Sequence, residues 1–115
     1  MKKVYYLKTC STCQRILKEW DLGDDVELQN IKTDQMTAEQ VDAMIALAGS
    51  AEALFSRKAM KYRAMGLNEK TLSEKDYRQL IIDEYTFLKR PILILDNQIF
   101  IGNSKAVVAE AKAAL

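Results

Sequence analysis

The sequence predicts an α/β domain: a mixed four-stranded sheet with flanking helices and an inserted helical region. Three observations predict it. A short apolar run near the start leads directly into a helical stripe. The stretch from about residue 35 to 88 carries only helical patterns. After it, the run Ile92-Leu93-Ile94-Leu95 follows the single proline, Pro91, and precedes a turn, a second apolar run and a last helix. The resulting order is β-α-β, helices, β-β, α, which a mixed sheet with helices on its faces accommodates.

Each element has its own warrant. Lys3 to Leu7 reads as a short buried strand, and Thr9 to Thr12 as a polar loop opening a helix. Cys13, Ile16, Leu17 and Trp20 follow the i, i+3, i+4, i+7 spacing of one helical face. Gly23 is a stop signal, and Val26 to Ile31 reads as a second strand. Thr37-Ala-Glu-Gln40 has the form of a capping box, followed by the stripe Val41, Met44, Ile45 and Ala48 and a stop at Gly49. Ser50 caps a short turn through Leu54; Lys58 to Met65 reads as a short helix ended by Gly66. Ser73 opens a helix through about Tyr85 with Tyr77, Leu80 and Ile81 inward. Asp96-Asn97 supplies a turn, Ile99 to Ile101 pairs back as a hairpin, and Ser104 caps a helix to Leu115. The five tyrosines and five methionines read as packing residues.

With 115 residues the chain fits one domain, large enough for a core without staples. Its 17 Lys and Arg against 16 Asp and Glu give a net charge of +1, which implies no broad field for nucleic acid. The apolar run Val4 to Leu7 is ended by Lys8, whereas a signal peptide needs roughly 7–15 apolar residues and a membrane span about 20. The expectation is a cytoplasmic protein without membrane attachment, and a monomer. Histidine is absent, which removes Cys-His and Ser-His pairs and the commonest nitrogen ligand for metals.

The main chemical signal is Cys10-Ser-Thr-Cys13. A C-x-x-C after a strand, at the opening of a helix, reads as a thioredoxin-like redox motif. Unpaired N–H groups and the dipole at a helix start favour an anion, so Cys10 is the expected nucleophile. Cys13 lies on the apolar stripe and is expected to stay a thiol until it resolves a mixed disulfide on Cys10. Ser11 and Thr12 are small and polar, suited to bonding the Cys10 sulfur or capping the helix. Other uses of the pair stand beside this one. A zinc site needs about four ligands and the cysteines supply two. A structural disulfide closing so short a loop stabilises by only about 2 kcal/mol. Two inert buried thiols packing as small hydrophobes are the remaining alternative.

Tyr6-Leu-Lys-Thr-Cys10-Ser-Thr-Cys13-Gln-Arg, the helical insertion and Lys89-Arg90-Pro91-Ile-Leu-Ile together resemble the arsenate reductase ArsC/Spx family over nearly the whole chain. The resemblance implies a thioredoxin/glutaredoxin-like fold with a helical subdomain inserted before the last hairpin. It makes Cys10 the reactive cysteine and Cys13 the second cysteine of the Spx-like branch. Arg90 becomes the arginine that approaches the sulfur, and Pro91 the cis proline facing the active-site loop. Arg57, or Ser56 beside it, matches another arginine near the sulfur. Gly49 matches a glycine of the Spx contact with the RNA polymerase alpha subunit, but a plain helix stop is the favoured reading of it. In Phe100-Ile-Gly102-Asn-Ser104 a glycine stands where arsenate reductases carry a third anion-binding arginine.

On charge pattern alone Arg57, Arg90 and the neighbouring lysines read as solvated surface. The resemblance therefore carries their roles. It implies a thiol–disulfide oxidoreductase with no bound cofactor, acting on a small-molecule or protein disulfide, with glutathione, glutaredoxin or thioredoxin as electron donor. It also implies two alternatives: an Spx-like redox regulator whose partner is RNA polymerase, without direct nucleic-acid contact, and an arsenate reductase.

Overall fold

The computed structural model describes all 115 residues. The first strand, β1 (Lys2–Tyr6), runs into α1 (Ser11–Trp20) and returns as β2 (Glu27–Asn30). Next come α2 (Ala38–Ala48), α3 (Met60–Ala64) and α4 (Glu74–Asp83), then β3 (Ile92–Leu95), β4 (Gln98–Ile101) and α5 (Lys105–Ala114). The chain folds as two units, Met1–Gln35 with Arg90–Leu115, and Met36–Lys89.

The first unit holds the sheet, in the order β2-β1-β3-β4. β1 and β2 are parallel, with Val4 beside Leu28. β1 and β3 are antiparallel, with Tyr5 opposite Ile92, and β3 and β4 form a hairpin with Ile92 opposite Ile101. Strand alternation sends Val4, Leu93 and Leu95 to one face, where Ile16 and Trp20 of α1 and Val108 and Ala111 of α5 cover them. The Trp20 indole N–H donates to the Val108 carbonyl (3.1 Å), which joins the two helices. On β1, alternating with Val4, Lys3 is buried with its ammonium 4.9 Å from the Tyr5 ring centre and 3.4 Å from Glu27.

The second unit is built from helix starts and an aromatic cluster. At α2 the Thr37 hydroxyl accepts from the Gln40 N–H (3.1 Å), while the Gln40 side chain accepts from the Thr37 N–H (3.0 Å). Ser73 and Asp76 make the same reciprocal pair at α4 (3.2 and 2.9 Å). Phe55 packs on Tyr62, Tyr77 and Phe87, with ring centres 5.9, 4.9 and 5.0 Å away. Arg78 on α4 grips Asp42 on α2 with two bonds of 2.6 and 3.0 Å.

Most sequence-derived elements sit where expected, with ends shifted by one to three residues. α1 stops at Asp21, which adopts a left-handed conformation (φ 50°), before Gly23 is reached. An aspartate tolerates that conformation through its short polar side chain. α4 ends at Asp83, and its expected last turn is instead a separate 3₁₀ turn over Tyr85–Phe87. The methionines need a correction. Met36 and Met44 are buried, but Met1, Met60 and Met65 are exposed. α3 buries none of its five residues, so Met60 has no core to join despite its apolar character.

Candidate functional site

Two features of the fold assemble the site. β1 ends at Tyr6, and the chain turns through Leu7–Thr9, where the Cys10 N–H donates to the Leu7 carbonyl (3.0 Å). Cys10 then occupies the N-cap of α1 with an extended backbone (φ −91°, ψ 114°). The antiparallel register, with Tyr5 opposite Ile92, brings Pro91 and Arg90 alongside the end of β1. The Arg90–Pro91 peptide is cis, and the Pro91 carbonyl accepts from the Gly102 N–H (3.0 Å) at the end of β4.

α1 starts without a hydroxyl or carboxylate cap and without an acidic residue in its first turn. Cys10 holds the N-cap position, and its side chain makes no capping hydrogen bond. Burial of Cys10 works to raise its pKa. The Cys13 backbone N–H, the Cys13 thiol, the Thr12 backbone N–H and the Arg90 charge outweigh it, and the net effect lies below the ordinary thiol value. Cys13 goes the other way. Burial pushes it up to about 11, partly offset by a backbone hydrogen bond from Leu7, with the Cys10 charge adding to the rise. The Cys13 thiol thus donates toward a neighbouring sulfur that carries the negative charge more readily. Both cysteines are free thiols; Cys13 is fully buried and Cys10 partly open.

The other predicted residues divide by position. Thr12 contributes through its backbone N–H, and Ser11 is exposed at the first helical position. Arg90 is half-buried, and its charge acts on both sulfurs. Pro91 is buried at the entrance to β3. Arg57 lies in the second unit, where its guanidinium bonds Glu52 (2.5 Å) and the Tyr77 hydroxyl (2.9 Å). Sequence reasoning gave no role to Gln14. Its side-chain N–H donates to the Lys8 carbonyl, and its backbone N–H donates to the Cys10 carbonyl (3.1 Å). A carboxamide one turn after an N-cap was the available signal, but its target lies upstream of the helix.

A sheet ordered β2-β1-β3-β4, with a C-x-x-C at the start of α1 and a cis proline before β3, defines a thioredoxin-like protein. Within that class the chain belongs to the ArsC family, whose model matches residues 5–111. Among its relatives is Global transcriptional regulator Spx 2 of Bacillus anthracis, 24% identical over 106 residues, which span 89% of this chain and 79% of that protein. The solution structure of SACOL0876 from Staphylococcus aureus COL superposes with a TM-score of 0.74 at 28% identity, covering 96% of this chain and 97% of that one. The arsenate reductase from Vibrio cholerae shares the fold, with a TM-score of 0.77 at 17% identity and 95% of each chain covered. Family and fold together define an ArsC-like protein of redox type.

Proposed function

We propose that this protein is a thiol–disulfide oxidoreductase in which Cys10 is the nucleophile and Cys13 the resolving thiol. The observation that carries the reading is the opposed shift of two adjacent thiols, Cys10 below and Cys13 above the ordinary value. The thiolate is the attacking species, so the sulfur that ionises first acts first. The Cys10 thiolate attacks one sulfur of a substrate disulfide. A mixed disulfide forms, and the other substrate sulfur leaves as a thiolate. Cys13 then gives up its proton and attacks the Cys10 sulfur, which releases the second substrate thiolate and leaves a Cys10–Cys13 disulfide. The substrate has gained two electrons and the pair has lost two. Two equivalents of glutathione, or one reduced thioredoxin or glutaredoxin, restore the dithiol. Once the mixed disulfide forms, the Cys10 sulfur no longer carries a charge that opposes ionisation of Cys13, so the resolving proton leaves more easily.

Arg90 supports both ionisations in this reading, and its guanidinium suits a carboxylate or oxyanion on the substrate. Ser11, Thr12 and Pro91 are assigned to substrate binding beside Cys10 in this reading, and Arg57 to anion binding through the family pattern. Residues 35–88 form the inserted helical region of a single cytoplasmic, monomeric domain. The test is trapping. Cys13→Ser is expected to accumulate mixed disulfides with a disulfide substrate, and Cys10→Ser to give none. Equal trapping by both variants would overturn the assignment of roles.

The likeness to the Spx 2 regulator favours a second reading, a redox-responsive regulator that contacts the RNA polymerase alpha subunit through a surface including Gly49. Redox-dependent capture of purified alpha subunit separates it from the enzymatic reading. Arsenate reduction is the third. Gly102 reaches the site's end of the sheet with no side chain, so oxyanion capture there lacks a guanidinium.

A further inference from the structure

The loop between β1 and α1 has few ties of its own. Lys8 and Thr9 are exposed, and the turn bond from Cys10 to Leu7 closes only its base. Yet both polar groups of the Lys8 backbone are held by side chains from separate elements. The Lys8 carbonyl accepts from the Gln14 carboxamide on α1. The Lys8 N–H donates to the Asn30 side-chain oxygen at the end of β2 (3.3 Å), which also receives the Lys32 N–H (3.4 Å). Gln14 additionally holds the Cys10 carbonyl through its backbone N–H. One residue therefore ties both ends of Lys8-Thr9-Cys10 to the first turns of α1.

We infer that Gln14 is a positioning residue for Cys10: its carboxamide, with that of Asn30 gripping the same residue's N–H, fixes the loop that presents the sulfur to the start of α1. This rests on the thiolate reading given above. The N–H groups of Thr12 and Cys13 stabilise the sulfur only if it stays over them, because hydrogen bonds weaken steeply with distance and angle. Freed at Lys8, the loop swings with Cys10 at its end, and the anion spends less time over its donors. The two holders have opposite chemistry. Position 14 must donate and position 30 must accept.

That asymmetry makes the test specific. The reduced full chain is titrated by the ultraviolet absorbance of the thiolate and by its alkylation rate with iodoacetamide. Gln14→Met keeps the chain length without the donor. It is expected to raise the Cys10 pKa and to slow alkylation at neutral pH by about three- to tenfold, the worth of one hydrogen bond. Gln14→Glu, which cannot donate when ionised, moves in the same direction. Gln14→Arg keeps a donor of similar reach and stays at or below the wild-type value. Asn30→Ala gives a smaller rise, and Asn30→Asp, which retains the acceptor, stays close to wild type. Trp20 fluorescence reports that each variant is folded. The inference is overturned if Gln14→Met and Gln14→Glu titrate like wild type. A wild-type Cys10 at or above the ordinary thiol value would instead bring down the thiolate reading, and the positioning role with it.

Discussion

α1 and α4 begin in opposite ways. At α4 a serine hydroxyl and an aspartate close the first turn reciprocally, and Glu74 and Asp76 place negative charge over its positive end. At α1 Cys10 occupies the cap position, no acid lies in the first turn, and the charge that acts on the sulfur is the cation Arg90. A helix start has N–H groups to satisfy and a dipole to neutralise. α4 meets both needs with its own fixed oxygens, so the site is spent on stability. α1 leaves them for an anion that forms only when Cys10 ionises. The difference shows how one structural unit serves as a fastening in one place and as an electrostatic tool in another.

The most direct way to break that contrast is to give α1 the ordinary cap. Cys10→Ser converts its start to the type seen at Ser73. Thiol-dependent turnover is expected to be abolished. Stability, measured by urea denaturation, is expected to stay level or rise by up to about 1 kcal/mol, the worth of a good N-cap. A variant that is inactive and also clearly less stable would mean that the Cys10 sulfur serves the fold as well as the chemistry.

The second test exploits pH, because the two thiols contribute with opposite signs. A folded pKa below the unfolded one, as for Cys10, contributes stability that is present above the ordinary thiol value and lost as pH falls through the folded value. For Cys13 the folded state holds its proton longer than the unfolded chain does, so stability falls as pH rises from the ordinary thiol value toward about 11. That fall amounts to about 3 kcal/mol at its full extent. Denaturation midpoints across this range should show it in wild type and lose it in Cys13→Ser. In Cys10→Ser it should shrink, because burial remains but the neighbouring charge is gone.

The same contrast explains what the sequence could and could not disclose. Thr37, Ser73 and Ser104 were legible as helix starts because a cap bonds a residue only three positions along. Cys10 and Cys13 were legible for the same local reason. Arg90 was not legible from charge pattern, since its place beside the sulfurs comes from the pairing of β1 with β3, strands separated by most of the chain. Family likeness supplied what spacing could not. The grip of Gln14 and Asn30 on Lys8 was invisible for a related reason: the spacing of a carboxamide says nothing of which backbone group will meet it once strands and helix are assembled. Lys3, buried against Tyr5 and Glu27, was likewise hidden in a run that reads only as strand.

The finest test adds to α1 the one ingredient that α4 has and it lacks. Ser11→Glu places an acid at the first helical position, which is exposed and open to a longer side chain. Opposite a helix's positive end such a charge stabilises by about 0.3–1 kcal/mol. Here the same charge also faces the Cys10 thiolate, and a like charge disfavours ionisation. The Cys10 pKa should rise, and alkylation at neutral pH should slow by about two- to fivefold while the melting temperature increases slightly. The two effects are one free energy divided differently: what the dipole gives to a permanent carboxylate it no longer gives to a transient thiolate. A Ser11→Glu protein that gained stability with no loss of Cys10 reactivity would show that the sulfur draws its stabilisation from the individual N–H groups and Arg90 alone, with the helix field contributing nothing.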